Sequence, residues 1–405
     1  MLQRFGLFTT VTVLTITALA ATPAAQAAPR KRGAYAQLRA ELPRLARIAG
    51  GSGGYVVMDG ATGRTLASGD SNTAHPLGST AKLLTTGAAI DLLGAGATLD
   101  TTLATVAPIT PDGTLAGDLV LHGGGDPLLD EAQLGRLADQ VQARGITTIA
   151  GAIVGDESAF DTLRGGPATN GAFDPELTGV LGALTYARGR QAPNGPLQSD
   201  PARGAAYRFD DVLEARGLTL RGTPRAGTTP PGAVGLGGVS TRLPDVIKVI
   251  NKTSDDFAAE MLAKVLGGGT TAAGAARIAQ HAQQLGAVVD VVDGSGVDRA
   301  TKASPRQLAR FVRAIRTRPA IAASLPIAGA DGTLRDRMLG GEASAHCYAK
   351  TGTLPQSRVS ALAGWCRTHG RTRVFAILRE GVTSESAAKA AEDAMVQRIA
   401  ATRSR

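Results

Sequence analysis

Gly78-Ser79-Thr80-Ala81-Lys82-Leu83-Leu84-Thr85 places a serine and a lysine three residues apart at the head of an apolar run. On a helix this spacing puts both side chains on one face, about one turn apart. A serine hydroxyl is a weak nucleophile until a nearby base takes its proton. A lysine amine can serve once burial or neighbouring cations make its charged form less favourable. The same residues also suit an ordinary amphipathic helix with serine as its N-cap. Other stretches of the chain must decide between the two readings.

The N-terminus bears on compartment. Met1-Leu2-Gln3-Arg4 is followed by an apolar run from Phe5 to Ala20 and by Ala25-Gln26-Ala27. A positive start, a short apolar core and an A-x-A site predict a secretory signal peptide over 1–27. Cleavage would leave 378 residues, enough for two domains with their own cores. No cysteine lies near the cleavage site, which argues against a lipid-anchored product. The expectation is an exported, extracytoplasmic protein.

The net charge of +9 and pI of 9.9 invite a nucleic-acid reading. Aromatics make up only 3% of the chain, and no zinc-finger or RNP-like pattern accompanies the charge, so no nucleic-acid partner is expected. Such a charge would instead draw an exported protein towards anionic wall polymers or lipid head groups. The five histidines have no metal-ligand spacing, and no cofactor fingerprint is present, so neither metal nor cofactor is expected.

Taken in order, the chain predicts a helix over Lys31 to Gly51, with Pro43 as a kink. Gly50-Gly51-Ser52-Gly53-Gly54 matches G-x-S-x-G, but a helix precedes it and a strand follows, the reverse of a nucleophile elbow. It reads as a flexible turn. Tyr55–Asp59 and Arg64–Ser68 form a hairpin, and Ser79 to Leu93 a helix closed by Gly94. From 101 to 238 the texture changes. Short β-like runs at Leu119–His122, Ile146–Val154 and Tyr207–Phe209 alternate with Gly/Pro turns and one helix, Asp130–Arg144. Gly227–Gly232 reads as a linker. We expect a β-rich domain at 101–238 inserted into a discontinuous one made of 28–100 and 239–405.

Helical patterns resume at Leu243–Ile250, Asp255–Leu266, Ala272–Leu285 and Ser304–Ile315. Strands follow at Ala345–Thr351, Val359–Cys366 and Thr372–Leu378, then a last helix, Ser384–Ala400. The expected class is α+β, an antiparallel sheet covered by helices.

Two more short motifs lie downstream. Ser254-Asp255-Asp256 opens a helix, where serine is also a common cap and acids favour the first turn. Lys350-Thr351-Gly352-Thr353-Leu354 falls at a strand end, offering a fixed positive charge, hydroxyl donors and a close backbone approach. Ser-x-x-Lys, then S-D-x, then K-T-G is the ordered set of penicillin-binding proteins and class A β-lactamases.

With Gly123-Gly124-Gly125-Asp126-Pro127, Asp293-Gly294-Ser295-Gly296 and Leu325 through Leu334, these motifs resemble the S13 peptidases, the D-alanyl-D-alanine carboxypeptidases/endopeptidases of the penicillin-binding protein 4 type. The resemblance implies a transpeptidase-like fold, peptidoglycan stem peptides as substrates and β-lactams as covalent inhibitors. It implies that Ser79 attacks the bond between the terminal D-alanines with Lys82 as base. Ser254 would relay a proton to the leaving amine, supported by Lys350. Thr351 and Thr353, flanking Gly352, would hold the terminal carboxylate, and the amides of Ser79 and Thr353 would form the oxyanion hole. It also implies an acid on the inserted domain for the diaminopimelate side chain, which falls on Asp156.

One departure stands out. The family pattern is S-x-N, and this chain has Asp256. An amide both donates and accepts, whereas an ionised carboxylate only accepts. Asp256 would hold Lys82 charged and lose the donor to the substrate, giving reduced or altered activity. A serine β-lactamase or esterase is a rival with the same chemistry. The chain lacks an E-x-x-L-N-like deacylation loop, and 175 residues separate Ser79 from Ser254. A catalytically weakened wall-binding protein is the other rival. Finally, a hairpin turning near Gln356 would place Cys347 opposite Cys366, within disulfide reach.

Overall fold

The computed structural model describes residues 1–2, 35–192, 194–354 and 356–403. The apolar stretch and cleavage site of the expected signal peptide (5–27) lie outside the described residues. No described helix is long and apolar enough to cross a membrane.

A five-stranded antiparallel sheet organises the molecule, in the order Cys347–Leu354, Val359–Thr368, Arg371–Glu380, Ser52–Asp59 and Thr65–Gly69. Alternate side chains on a strand face opposite ways. Val56, Met58, Ala361, Ala363, Val374 and Ala376 pack against the central helices. Tyr55, Val57, Leu362, Phe375 and Ile377 meet Leu38 and Leu42 of the helix Ala36–Ile48, and Met395 and Ile399 of the helix Glu385–Ala401. Both faces are therefore dry, which is why these strands read as nearly continuous apolar runs. Pro43 sits inside its helix without ending it. Ser52 is exposed and opens a strand after Gly50 and Gly51, both at positive φ, so this G-x-S-x-G is a turn.

Cys347 and Cys366 stand directly opposite in the hairpin register and form a disulfide. Closing a loop of 19 residues restricts the unfolded chain. Removing both sulfurs (Cys347→Ser with Cys366→Ser) is expected to lower stability by about 3 kcal/mol. Chemical denaturation of the two proteins side by side measures this; equal midpoints would refute it.

Residues Thr98–Thr105 and Val234–Arg242 pair with each other and cross the expected joints at 100/101 and 238/239. They edge a second sheet that continues through Leu119–Gly123, Ile153–Asp156 and Arg225–Ala226. Two helices, Glu131–Ala143 and Pro201–Glu214, cover one side of it. The first begins at a capping box of Asp130 and Gln133. The second corrects the strand expected at Tyr207–Phe209. Asp200 caps it, Pro201 starts it, and Ala202, Ala205, Ala206, Phe209, Val212 and Leu213 make its buried face. The helical period of these residues outweighs the local β propensity of tyrosine and phenylalanine. The expected linker at 227–232 is also more engaged than anticipated, since Gly227 and Thr229 hydrogen-bond to Gly155 and Asp156.

Candidate active site

Gly78 to Ala81 form a single 3-10 turn that runs into the helix Lys82–Leu92, itself buried from Lys82 to Ile90. Gly78 has φ +49°, and a Cβ there would sit 3.4 Å from the nitrogen of Thr353. Gly352 faces it, and a Cβ on Gly352 would come within 2.7 Å of the Leu77 carbonyl. Gly352 thus lets the two backbones approach closely, while Gly78 supplies the left-handed turn that other residues resist.

Ser79 follows Gly78 and caps no helix. Its Oγ lies 2.9 Å from Nζ of Lys82, which is wholly buried. Nζ also donates to Asp256 Oδ1 at 2.5 Å and to the Ser295 carbonyl at 2.8 Å, so all three ammonium hydrogens have acceptors. An unpaired ammonium buried this deeply would cost several kcal/mol. Asp256, about a quarter exposed, offsets that cost.

Ser254 is not the helix N-cap its neighbours suggested. It closes the helix Leu243–Thr253 in the left-handed region, at φ +62°. Asp255 is the cap, accepting from the Ala258 amide, and Asp256 is the first helical residue, where the helix dipole favours a negative charge. A left-handed serine costs roughly 1–2 kcal/mol. In return its Oγ accepts a hydrogen bond of 2.7 Å from Lys350 Nζ, which also donates to the Thr351 carbonyl. Burial first, and then the charge of Lys82, hold Lys350 well below the ordinary lysine pKa, with Asp256 opposing them. Arg188, from the inserted segment, pairs with Asp255 at 2.5 and 3.0 Å and stacks 4.9 Å above the Phe257 ring, bracing this corner.

Beneath Lys82 lie two buried acids. Glu260 Oε1 accepts from the amides of Gly294 and Ser295 at 2.9 and 2.7 Å, which aims the Ser295 carbonyl at Lys82. Asp293 accepts from Gly296, Asp298 and Thr301. Burial, and then the neighbouring Asp293 carboxylate, push Glu260 up to about 8. The proton is therefore held more tightly in the folded protein than in the unfolded chain, whose value lies near 4.5. Stability from this group is complete below the unfolded value and is lost as pH rises towards the folded one. Glu260→Gln keeps an acceptor for the two amides but cannot ionise. Its melting temperature should match the parent near pH 4.5 and rise relative to it between pH 5 and 8. A gap that stays constant with pH would refute this.

Ser79, Ser254 and Asp256 open onto a cleft of about 340 Å³, bounded across from them by Thr351, Thr353 and Thr333 and closed by Arg337 and Lys389. Thr351 Oγ1 donates to Thr333 Oγ1 at 3.0 Å. The structure thus gathers Ser79, Lys82, Ser254, Asp256, Lys350, Thr351, Gly352 and Thr353 from three distant stretches of sequence.

Asp156 is the exception. Its carboxylate is 1% exposed and accepts from Ser158, from the amide and hydroxyl of Thr229, and from His122. Burial opposes its ionisation, but the hydrogen bonds from Thr229 and Ser158 prevail and hold it well below the usual carboxylate range. It does not line the cleft. Hydrogen bonds from the amide and hydroxyl of Thr229 to Asp156 tie the 227–232 segment to its sheet.

Glu260, the Ser295 carbonyl, Thr333 and Arg337 were not anticipated. Glu260 left one usable signal, a lone acid within the apolar run Phe257 to Ala263, four residues beyond Asp256 and so on the same helix face.

A family model described as the D-Ala-D-Ala carboxypeptidase 3 (S13) family matches residues 34–172 and 177–402. The chain belongs to this family. It is a hydrolase of the D-Ala-D-Ala carboxypeptidase class, whose members act on peptidoglycan outside the cytoplasm. A D-alanyl-D-alanine carboxypeptidase from Actinomadura sp. (strain R39) is 28% identical, across 98% of this chain and 90% of that protein. The fold is that of penicillin-binding protein 4 (dacB) from Haemophilus influenzae, with a TM-score of 0.78 at 20% identity over 89% of this chain and 99% of that one. Bd3459, a predatory peptidoglycan endopeptidase from Bdellovibrio bacteriovorus, follows at 0.59 and 17%, over 85% and 90%.

Proposed function

We propose that this protein hydrolyses the terminal D-Ala-D-Ala bond of peptidoglycan stem peptides through an acyl-enzyme on Ser79. The observation that carries the reading is the 2.9 Å contact between Ser79 Oγ and a fully buried lysine at the floor of an open cleft. Lys82 must first give up one ammonium proton; as the free amine it takes the Ser79 proton while Oγ attacks the carbonyl carbon. The developing oxyanion would meet the amides of Ser79 and Thr353, the residues that follow the closely packed Gly78 and Gly352. Ser254, linked to Lys350, passes a proton to the leaving amine and is replenished with the proton Lys82 took from Ser79, so D-alanine departs and Lys82 is an amine again. Water, with Lys82 again as base, then releases the acyl group. The same serine would cleave D-alanyl cross-links that fit the cleft, and β-lactams would acylate it and stall.

Intact mass after exposure to benzylpenicillin, followed by assay of D-alanine release from a pentapeptide, tests the proposal. An adduct on Ser79 together with D-alanine release is the expected result. Rapid turnover of penicillin without a lasting adduct would make the protein a β-lactamase instead. Neither adduct nor release would favour a weakened wall-binding protein. The Lys82–Asp256 contact at 2.5 Å gives that second reading its footing, because it engages the lysine in an ion pair and puts an acceptor-only carboxylate where the family has an amide donor.

A further inference from the structure

Arg337 is held at the end of the cleft by its rear edge. Nε donates to Asp393 at 2.9 Å, and Nη2 donates to Glu392 at 3.0 Å and to the Lys389 carbonyl at 3.2 Å. These partners all lie on the C-terminal helix Glu385–Ala401, and Glu392 is itself fixed by Ser360 at 2.6 Å. Among the described residues Nη1 has no hydrogen-bond partner, although Arg337 lines the same cleft as Ser79, Thr351 and Thr353. A guanidinium of a cleft-lining residue with one edge locked by carboxylates and Nη1 left without a partner is pre-organised to receive an oxygen acid.

The other cations near the reacting serine are also engaged, although among the described residues Lys350 and Lys389 keep N–H groups without an acceptor. Lys82 has all three hydrogens engaged. Lys350 is fully buried, with Ser254 and the Thr351 carbonyl as partners. Lys389 is paired with Glu385. A peptide ending in D-alanine brings one full negative charge into this cleft, its C-terminal carboxylate, and threonine hydroxyls alone would leave that charge uncompensated.

We propose that Arg337 Nη1 binds the substrate's C-terminal carboxylate beside Thr351 and Thr353, selecting peptides with a free C-terminus. This inference rests on the peptidase reading above. It makes the Thr333–Arg337 turn and the C-terminal helix part of the specificity apparatus.

The test compares two acyl-D-Ala-D-Ala peptides, one with a free carboxylate and one with a C-terminal carboxamide, on the intact enzyme and on Arg337→Gln and Arg337→Lys. The enzyme should prefer the acid, and Arg337→Gln should cut kcat/KM for the acid by about 10- to 100-fold, mainly through KM, the range expected for a lost charged hydrogen bond. Activity on the carboxamide should change less than threefold, and Arg337→Lys should recover part of the preference. Equal losses on both peptides would show that Arg337 only braces the fold. An unchanged acid-to-amide ratio would show that the carboxylate binds elsewhere. Either result overturns the proposal while D-alanine release by the parent enzyme stands. No release of D-alanine by the parent enzyme, with no penicillin adduct, would sink the peptidase reading and this proposal together. Equilibrium binding of both peptides to a Ser79→Ala form gives the same comparison without turnover, and Arg337→Gln in that form should erase the tighter binding of the acid.

Discussion

Lys82→Met is expected to slow acylation of Ser79 by penicillin about 10²- to 10⁴-fold, the usual contribution of a positioned general base. The substitution keeps the length of the side chain and removes its charge. Ser79 would still lie on the same turn, with Gly78 and Gly352 fixing the backbone around it. A fully buried ammonium would also disappear, and such charges are often neutral or unfavourable for stability when both volume and packing are kept. Asp256 retains a route to solvent, being 27% exposed. Stability should therefore hold or drop only slightly while acylation collapses. Stopped acylation kinetics and thermal melting on the same preparation separate the two effects. Unaltered acylation would remove Lys82 from the mechanism; a collapse of both would make it a structural residue.

Asp256→Asn should have the opposite pair of consequences. The carboxylate at 2.5 Å ties Lys82 Nζ into a charge-assisted hydrogen bond that competes with Ser79 for it. An amide of the same shape still accepts from Lys82, relaxes that hold, and adds an N–H that can donate to the substrate amide. Acylation by penicillin and release of D-alanine should both rise, by about tenfold at neutral pH if the gain matches one added hydrogen bond. Stability should fall, because Lys82 is completely buried and loses its charged partner; breaking such a pair costs about 3–5 kcal/mol when the remaining charge cannot neutralise. A variant that gains activity and loses stability would show that Asp256 trades one for the other. If peptide hydrolysis and penicillin acylation are both unchanged, the departure from the family's asparagine has no catalytic meaning.

Much of the site was legible because its parts are short and local. Ser79 and Lys82 are three residues apart, so helical geometry alone puts them within reach. The pairing of Cys347 with Cys366 followed from hairpin register, which depends only on where the turn lies. Where sequence reading failed, a contact was decided by partners far away. The partners of the Asp156 carboxylate, Thr229 from a loop and His122 from a neighbouring strand, left no sign in its own stretch. The helix at Pro201–Glu214 was hidden by two residues with strand preference, Tyr207 and Phe209, and only its packing face shows its period. Arg337 carries no local signal: its orientation is set by acids 55 and 56 residues further on.

The short motifs around Ser79, Ser254 and Lys350, with Gly123–Pro127, Asp293–Gly296 and Leu325–Leu334, carried the resemblance to the S13 family and the reaction it implies. The periodicity of the chain gave the antiparallel sheet covered by helices, and both signals are local. Tertiary structure alone decided that Ser254 caps the wrong end of a helix to reach Lys350, that Glu260 aims the Ser295 carbonyl, and that Asp256 touches Lys82. Each of these is a meeting of groups from separate elements. Their distances depend on how the sheet, the buried helix and the C-terminal helix pack, and packing is not written in the spacing of any one stretch.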